Sequence, residues 1–291
     1  MADEKHGSVK LEARGIISIK GGDVRPFLQG LITNDMKALG PGQAVFAALL
    51  TPQGKYLFDF FMAEDGGRIL LDCEKERLSE LLERLALYRL RADVQLADVS
   101  EELAVWALLP EQTDKLEAGA VEPCCGGLKY VDPRLGKAGF RLILPRDMAP
   151  PGTRIEYGDY ERLRIGLGLA DGSRDIEVGR QPILEAGFAE LAGVDFKKGC
   201  YVGQEVTARM KYRGTLKKRL LPVVFEGSAP DPGTRLMAAG KRVGDVRSGI
   251  GNMAIALIRL EFLQAKNLET EAGQPARVMP PDWLLLDGAA A

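Results

Sequence analysis

Histidine is all but missing from this chain: His6, in an expected terminal tail, is the single imidazole among 291 residues. A Ser–His–Asp or Cys–His couple therefore has no base, and acid–base work falls to carboxylates, Lys or Tyr. Cysteine is scarce as well. Cys73, Cys124, Cys125 and Cys200 are the whole set, with no C-x-x-C spacing. Structural zinc and iron–sulfur centres take three or four Cys/His ligands, so no permanently bound metal is expected. No apolar run approaches the roughly 20 residues that cross a bilayer, which argues against a membrane partner. Residues 1–7 lack both a hydrophobic signal core and the Arg-rich pattern of a transit peptide; a cytoplasmic location is the expectation. A net charge of −2 and an isoelectric point near 5.8 give no basic stripe for direct nucleic-acid contact. Walker and G-x-G-x-x-G loops and internal repeats are absent too.

What the chain does have is an ordinary globular composition, 46% hydrophobic and 27% charged, with length for two or three domains. Its most informative segment is Lys198-Gly199-Cys200-Tyr201-Val202-Gly203-Gln204-Glu205. A cationic neighbour and the free N–H groups of a helix start both favour a thiolate, which makes Cys200 a candidate reactive thiol and Lys198 its activator. The bland alternative is a small buried core residue. Glu205 reads either as an orienting group, with Gln204, or as a first-turn acid complementing the helix dipole.

Secondary structure follows from pattern. A strand is expected over 15–19, then a helix from Asp23 carrying Val24, Phe27, Leu28 and Leu31. Thr33-Asn34-Asp35 interrupts it, and Asn34 and Asp35 are turn formers or site residues. Strands at 44–50 and 56–62 flank the turn Thr51-Pro52-Gln53-Gly54. Asp72-Cys73-Glu74 is expected to open a helix with Leu78, Leu81, Leu82, Leu85 and Arg89 on its core face. Strands recur at 104–109, 128–131 and 140–144, and helices are expected around Tyr160, Leu163 and Ile165 and at 182–191. Cys124-Cys125, between Pro123 and Gly126-Gly127, reads as an exposed loop with a redox role as the alternative. Beyond a boundary near 214–218, short strands separated by Gly, Pro and Ser suggest a small barrel. The class is α+β.

The stretch Phe196–Arg209, centred on the cysteine octapeptide, closely resembles the signature of the YgfZ-type folate-binding proteins, of the glycine-cleavage T-protein (aminomethyltransferase) superfamily. Phe27-Leu28-Gln29-Gly30 with Thr33-Asn34-Asp35, Gly54-Lys55, and Val243-Gly244-Asp245-Val246-Arg247-Ser248-Gly249 agree with it, so the resemblance spans almost the whole chain. Val202 stands where Thr is common. The resemblance implies a three-domain T-protein-like cloverleaf around a central opening that admits tetrahydrofolate or another reduced folate. A discontinuous folate-binding domain (about 1–42 and 145–215) would carry an inserted ferredoxin-like unit (about 43–144), and 216–291 would form the C-terminal β-barrel. It further implies a monomeric factor for assembly or repair of iron–sulfur clusters, partnered by assembly proteins or client enzymes, including radical enzymes that modify tRNA.

Two departures bear on chemistry. T-proteins carry two adjacent acids in the hairpin, whereas this chain has Phe58-Asp59; and Gly166 falls in the stretch where a pterin-holding carboxylate is found. Both argue against aminomethyl transfer. Of the two aromatic positions that line the folate site, one aligns with Tyr160 and the other with Arg14, which either stacks on a pterin or meets the folate tail, or is simply solvated. Asn34 and Asp59 complete the candidate folate set. The reading is a tetrahydrofolate-binding iron–sulfur assembly or repair factor acting through Cys200; the alternatives are a tetrahydrofolate-dependent aminomethyl or one-carbon transferase and a non-catalytic adaptor.

Overall fold

The computed structural model describes residues 6–110, 116–214 and 216–284; the outer ends of the expected domains, 1–5 and 285–291, lie outside it. The chain opens with β1 (His6–Lys10), so His6 starts a strand where a tail was expected. Then come β2 (Arg14–Lys20), α1 (Val24–Gln29), β3 (Val45–Leu50), β4 (Tyr56–Asp65), β5 (Arg68–Glu74), α2 (Leu78–Arg89) and β6 (Gln95–Asp98). Strands β2 to β6 form one antiparallel sheet in the order β3-β4-β5-β2-β6. Its residues alternate between two cores. Ile17, Ile19, Phe58, Phe60 and Leu71 pack with α1 and α2, while Ile16, Phe61, Ala63 and Leu70 face the opposite way. A strand buried on both faces loses its polar alternation. For that reason Asp72-Cys73-Glu74 was expected to begin a helix, yet it ends β5, paired through Cys73 with Gly15 and Phe60, and α2 begins only at Leu78.

A second sheet covers the opposite face. It contains β7 (Leu103–Pro110), β8 (Val121–Cys124), β9 (Gly127–Val131), β10 (Phe140–Pro145) and β11 (Thr153–Arg154), with β1 between β11 and β7. The sheets therefore divide the chain differently from the expected cuts at 42/43 and 144/145. Residues 14–98 build the helix-backed sheet, and β1 joins strands between 103 and 154. Hydrogen bonding explains the difference: β2 is inserted between β5 and β6, so it cannot be separated from the strands that follow it, whereas β1 pairs with β7 and β11. α3 (Tyr157–Gly166) and α4 (Gly172–Asp175) lead to a short 3₁₀ turn at Ile183–Ala186, where a longer helix was expected, and then to α5 (Gln204–Arg213).

The last unit is a closed barrel of β12 (Lys218–Phe225), β13 (Arg235–Ala238), β14 (Lys241–Ile250), β15 (Met253–Arg259), β16 (Leu268–Thr270) and β17 (Pro275–Val278). Period-two alternation sends Leu221, Val223, Ala254, Ala256 and Ile258 inside, while Leu220, Ile255 and Leu257 join the main core. A mixed α+β architecture with a C-terminal barrel is thus present.

At the centre, Asp72 is fully buried and accepts from Arg14 Nε at 2.6 Å and from Arg141 at 2.6 and 3.0 Å. Arg14 and Asp72 belong to the first sheet and Arg141 to the second, so one carboxylate ties the two. Asp72→Ala leaves two buried guanidinium groups without their shared counter-charge, and removal of one partner of a buried pair costs about 3–5 kcal/mol. Urea unfolding of the variant is expected to show a loss of that size; a loss under about 1 kcal/mol would mean that the sheets do not depend on this contact.

Candidate functional site

The sequence motifs that lie far apart in the chain meet around the cysteine segment. Thr33 Oγ1 donates to Gly193 O at 2.6 Å, Asp195 N to Thr33 O at 3.1 Å, and Asn34 Nδ2 to Ala192 O at 2.7 Å and Phe46 O at 2.8 Å. Val202 N reaches Gly30 O at 3.1 Å. Lys198 Nζ donates to Ile32 O at 2.6 Å and Asn34 O at 2.7 Å and lies 5.0 Å from the centre of the Tyr201 ring. The segment that runs from the end of α1 into Thr33-Asn34-Asp35 is thereby one wall of a clamp on residues 192–202.

The other wall is the β3–β4 turn. Gly203 caps α5 with φ 83°, and a Cβ on it would lie 2.4 Å from Thr51 O and 3.2 Å from Gly54 Cα. Only glycine permits both that backbone angle and that approach. Gly54, φ 73°, is the reciprocal case: a Cβ on it would lie 2.8 Å from Gly203 O. The hairpin glycine and the cysteine-motif glycine are therefore one structural unit.

On this held loop Cys200 is exposed, while Cys73 is buried and Cys124 and Cys125 are half-buried. Gly199 is exposed beside it, with open space where a Cβ would stand. Tyr201 is buried as the anchor, and burial pushes its hydroxyl up to about 12. Lys198 does not direct its ammonium at the thiol: both of its hydrogen bonds go to backbone carbonyls, those of Ile32 and Asn34. Glu205 does not reach the cysteine either; it is exposed and pairs with Arg209 at 2.7 Å along α5, an i,i+4 surface pair worth a few tenths of a kcal/mol. Gln204 is the first residue of α5 and half-buried.

The candidate folate residues separate into two groups. Arg14 and Tyr160 line one cavity of about 370 Å³ together with Glu74, Tyr157, Asp171 and Arg174, at the meeting of β2, β5, α3 and α4. Arg14 is not solvated; its side chain is 8% exposed and held by Asp72. Tyr160 is half-buried, its hydroxyl 3.4 Å from an Arg141 donor and its ring 6.0 Å from that of Tyr157. Asp59 is buried just behind, where Tyr56 Oη donates to it at 2.6 Å; burial raises its pKa. Asn34 is not in this group, because its amide holds the turn against Phe46 and Ala192. Cys200 is not among the residues lining the cavity.

Sequence reading missed Asp171. It sits five residues beyond Gly166, in a stretch whose polar residues look like an ordinary turn. Its side chain is 24% exposed, and Arg174 donates to it at 2.7 Å. Burial works against its charge, but Arg164, Arg14 and Arg174 outweigh that and hold the carboxyl at about 2. An ionised acceptor thus faces a cavity with a tyrosine pair and an arginine, and its volume falls in the range of about 300–1,000 Å³ usual for small-molecule sites. Among the described residues no group of three or more His, Cys, Asp or Glu is placed to hold a metal ion, and no helix is long and apolar enough to cross a membrane.

Residues 217–285 match the model of the CAF17 C-terminal β-barrel domain. The chain is 35% identical to the human protein named iron-sulfur cluster assembly factor IBA57, mitochondrial, over 94% of this chain and 84% of that protein, and 32% identical to its Mus musculus counterpart with the same coverage. Among solved structures it is similar to aminomethyltransferase T of the glycine cleavage system from Bartonella henselae, with a TM-score of 0.77, 17% identity, and coverage of 96% of this chain and 86% of that one. That likeness shows the fold. The two relatives are mitochondrial by name, and this overturns the cytoplasmic location expected from N-terminal composition.

Burial lowers the Lys198 pKa from 10.5 to about 8, with Asp35 and Asp195 opposing it. Between those two values the unfolded chain holds a proton that the folded chain has released, so stability rises with pH from about 8 to about 10.5. Lys198→Met should remove that increment from denaturation curves compared across the window. An NMR titration of the Lys198 Cε resonance should give a midpoint near 8; an ordinary lysine midpoint would show that burial does not penalise the charge of this side chain in the folded chain.

Proposed function

The chain belongs to the family of the IBA57 iron–sulfur cluster assembly factors, and on that basis we propose that it assembles or repairs iron–sulfur clusters in client enzymes, with Cys200 as the reactive group and a reduced folate in the Arg14–Tyr160 cavity. The observation that carries this reading is the convergence of three separate sequence motifs on a loop whose exposed member is a thiol. Side chains and backbone groups from Gly30, Ile32, Thr33 and Asn34, with the Gly54 turn, hold the loop on both sides. That is more support than a surface cysteine needs for folding. It suits a thiol whose direction matters.

A cluster takes three or four protein ligands, and Cys200 supplies one exposed thiol. The remaining ligands then come from an assembly partner or from the client, which makes the transaction one between proteins. The iron or sulfur is cargo. Clients on this reading include radical enzymes that modify tRNA. Lys198 contributes by fixing the backbone that carries Cys200, with its cationic head facing the loop core.

The cavity fits a pterin on chemical grounds. A reduced pterin offers donors on its amino-pyrimidine edge, and Asp171 is an ionised acceptor in the wall. Tyr160 and Tyr157 give the planar ring a face, and Arg14 is oriented by Asp72 to meet carbonyl oxygen or the carboxylates of the folate tail. Bound folate would supply a one-carbon or redox-active carrier; the residues of this chain bind and orient it.

Two measurements separate the parts of this proposal. Cys200→Ser is expected to abolish rescue of a deletion strain while shifting Tm by no more than about 1 °C, since the exchange changes little volume at an exposed site. Equal rescue by the Ser variant would overturn the reactive-thiol role. Calorimetric titration with tetrahydrofolate should show binding that Asp171→Asn weakens about tenfold, the loss of one charge-assisted hydrogen bond of about 1.4 kcal/mol. Absence of heat at millimolar ligand would remove folate from the account and leave the Cys200 role standing.

A further inference from the structure

Cys124 and Cys125 take no part in the site above. Cys124 ends β8 and is paired with Gly127 at the start of β9, so Cys125 and Gly126 form the whole two-residue turn of this hairpin. Their φ angles are 51° and 77°. Two positive φ values mark a type I′ turn, whose first central position favours Asn, Asp or Gly. A cysteine there is held in the left-handed region at a cost of about 1 kcal/mol.

The turn brings the two sulfurs to 3.2 Å from each other, both half-buried. A disulfide bond is about 2.04 Å long, so closure needs about 1.2 Å of sulfur movement. The side chains rest on Trp106, Leu142 and Leu144 on the outer face of the second sheet. Behind them the hairpin is pressed on β10: a Cβ on Gly127 would lie 2.1 Å from Ile143 O. The tip cannot sink into the sheet, and its sulfurs stay together at the surface. Cys73 is buried in the core cluster formed with α1 and α2, so it is no competing partner.

We propose that Cys124 and Cys125 are a redox modification site, a vicinal dithiol that closes to a disulfide under a hydroperoxide and reopens under a thiol reductant. Cys125 thiolate attacks the O–O bond, becomes a sulfenic acid and releases water or an alcohol. Cys124 Sγ then attacks Cys125 Sγ; the S–O bond breaks, and the Cys124 proton leaves with that oxygen as water. The two thiols lose two electrons and two protons, and the peroxide gains them. Burial and then the Cys125 sulfur push the Cys124 thiol up to about 11, which leaves Cys125 as the first attacker. Adjacent Cα atoms are about 3.8 Å apart, short of the usual 4.4–6.8 Å span of a disulfide, so the closed form is strained and readily reduced.

The test uses full-length Cys200→Ser protein treated with stoichiometric hydrogen peroxide, with circular dichroism to confirm that it stays folded. The peptide holding both cysteines should lose the mass of two hydrogen atoms and stop reacting with iodoacetamide, and dithiothreitol should restore both. Cys124→Ser should instead leave Cys125 as a sulfenic acid trapped by dimedone. Three results would overturn the proposal: both thiols still alkylated after treatment, a lasting sulfenic acid in the protein that retains Cys124, or disulfide-linked dimers in place of the internal bond.

Discussion

Everything in the arrangement depends on Asp72, a carboxylate with no exposed surface that accepts from Arg14 of its own sheet and Arg141 of the facing one. Two cations around one anion leave a surplus positive charge. The Phe61 ring absorbs part of it: the guanidinium carbons of Arg14, Arg134 and Arg141 lie 5.6, 4.8 and 4.0 Å from its centre. Arg134 in turn is held by Asp132. Such a cluster stabilises only as a complete set, because each buried charge relies on the next. Its consequence is positional. The floor of the Arg14–Tyr160 cavity is fixed by the same contacts that hold the sheets together.

A second buried network fixes the barrel. Arg164 of α3 donates to Glu161 at 2.6 Å, to Asp175 at 3.1 Å and to Ser248 Oγ at 2.7 Å, and Asp175 also accepts from Ser248 N at 2.9 Å. The glycine-containing run Val243–Gly249 thus serves to dock β14 on α4. Gly244 lets the strand pass, since a Cβ there would lie 2.5 Å from Leu257 O. Trp283 Nε1 adds a bond to Leu167 O at 2.7 Å. Arg164 also helps hold Asp171 ionised, so barrel docking and cavity electrostatics share one guanidinium.

Local pattern exposed most of the strands, the leucine face of α2, the barrel and the cysteine loop, because each is announced by period, turn chemistry or glycine within a few residues. Where the reading failed, the cause was long-range. β5 carries buried residues on both sides and so has no alternation to show, and the placement of β2 between β5 and β6 is a pairing decision that no local window contains. Arg14 looks like a solvated residue until Asp72, 58 positions away, is brought beside it. Asp171 had no motif; it became visible only when α4 met Arg14 and Tyr160.

Lys198 makes contacts other than the ones its neighbourhood in sequence suggests. Adjacent in sequence to the cysteine loop, it looks like an electrostatic activator; in space its ammonium, with three donors, donates to the backbone carbonyls of Ile32 and Asn34. The charge is costly there, as the lowered pKa shows, so the contact is kept for what it positions. With Lys198, Tyr201 and Gly203 all facing the protein, Gly199 and Cys200 are the residues left facing out. A thiol held in this way would meet a second protein at little further entropic cost to the loop, which is the property that the proposed exchange of cluster components asks of its support.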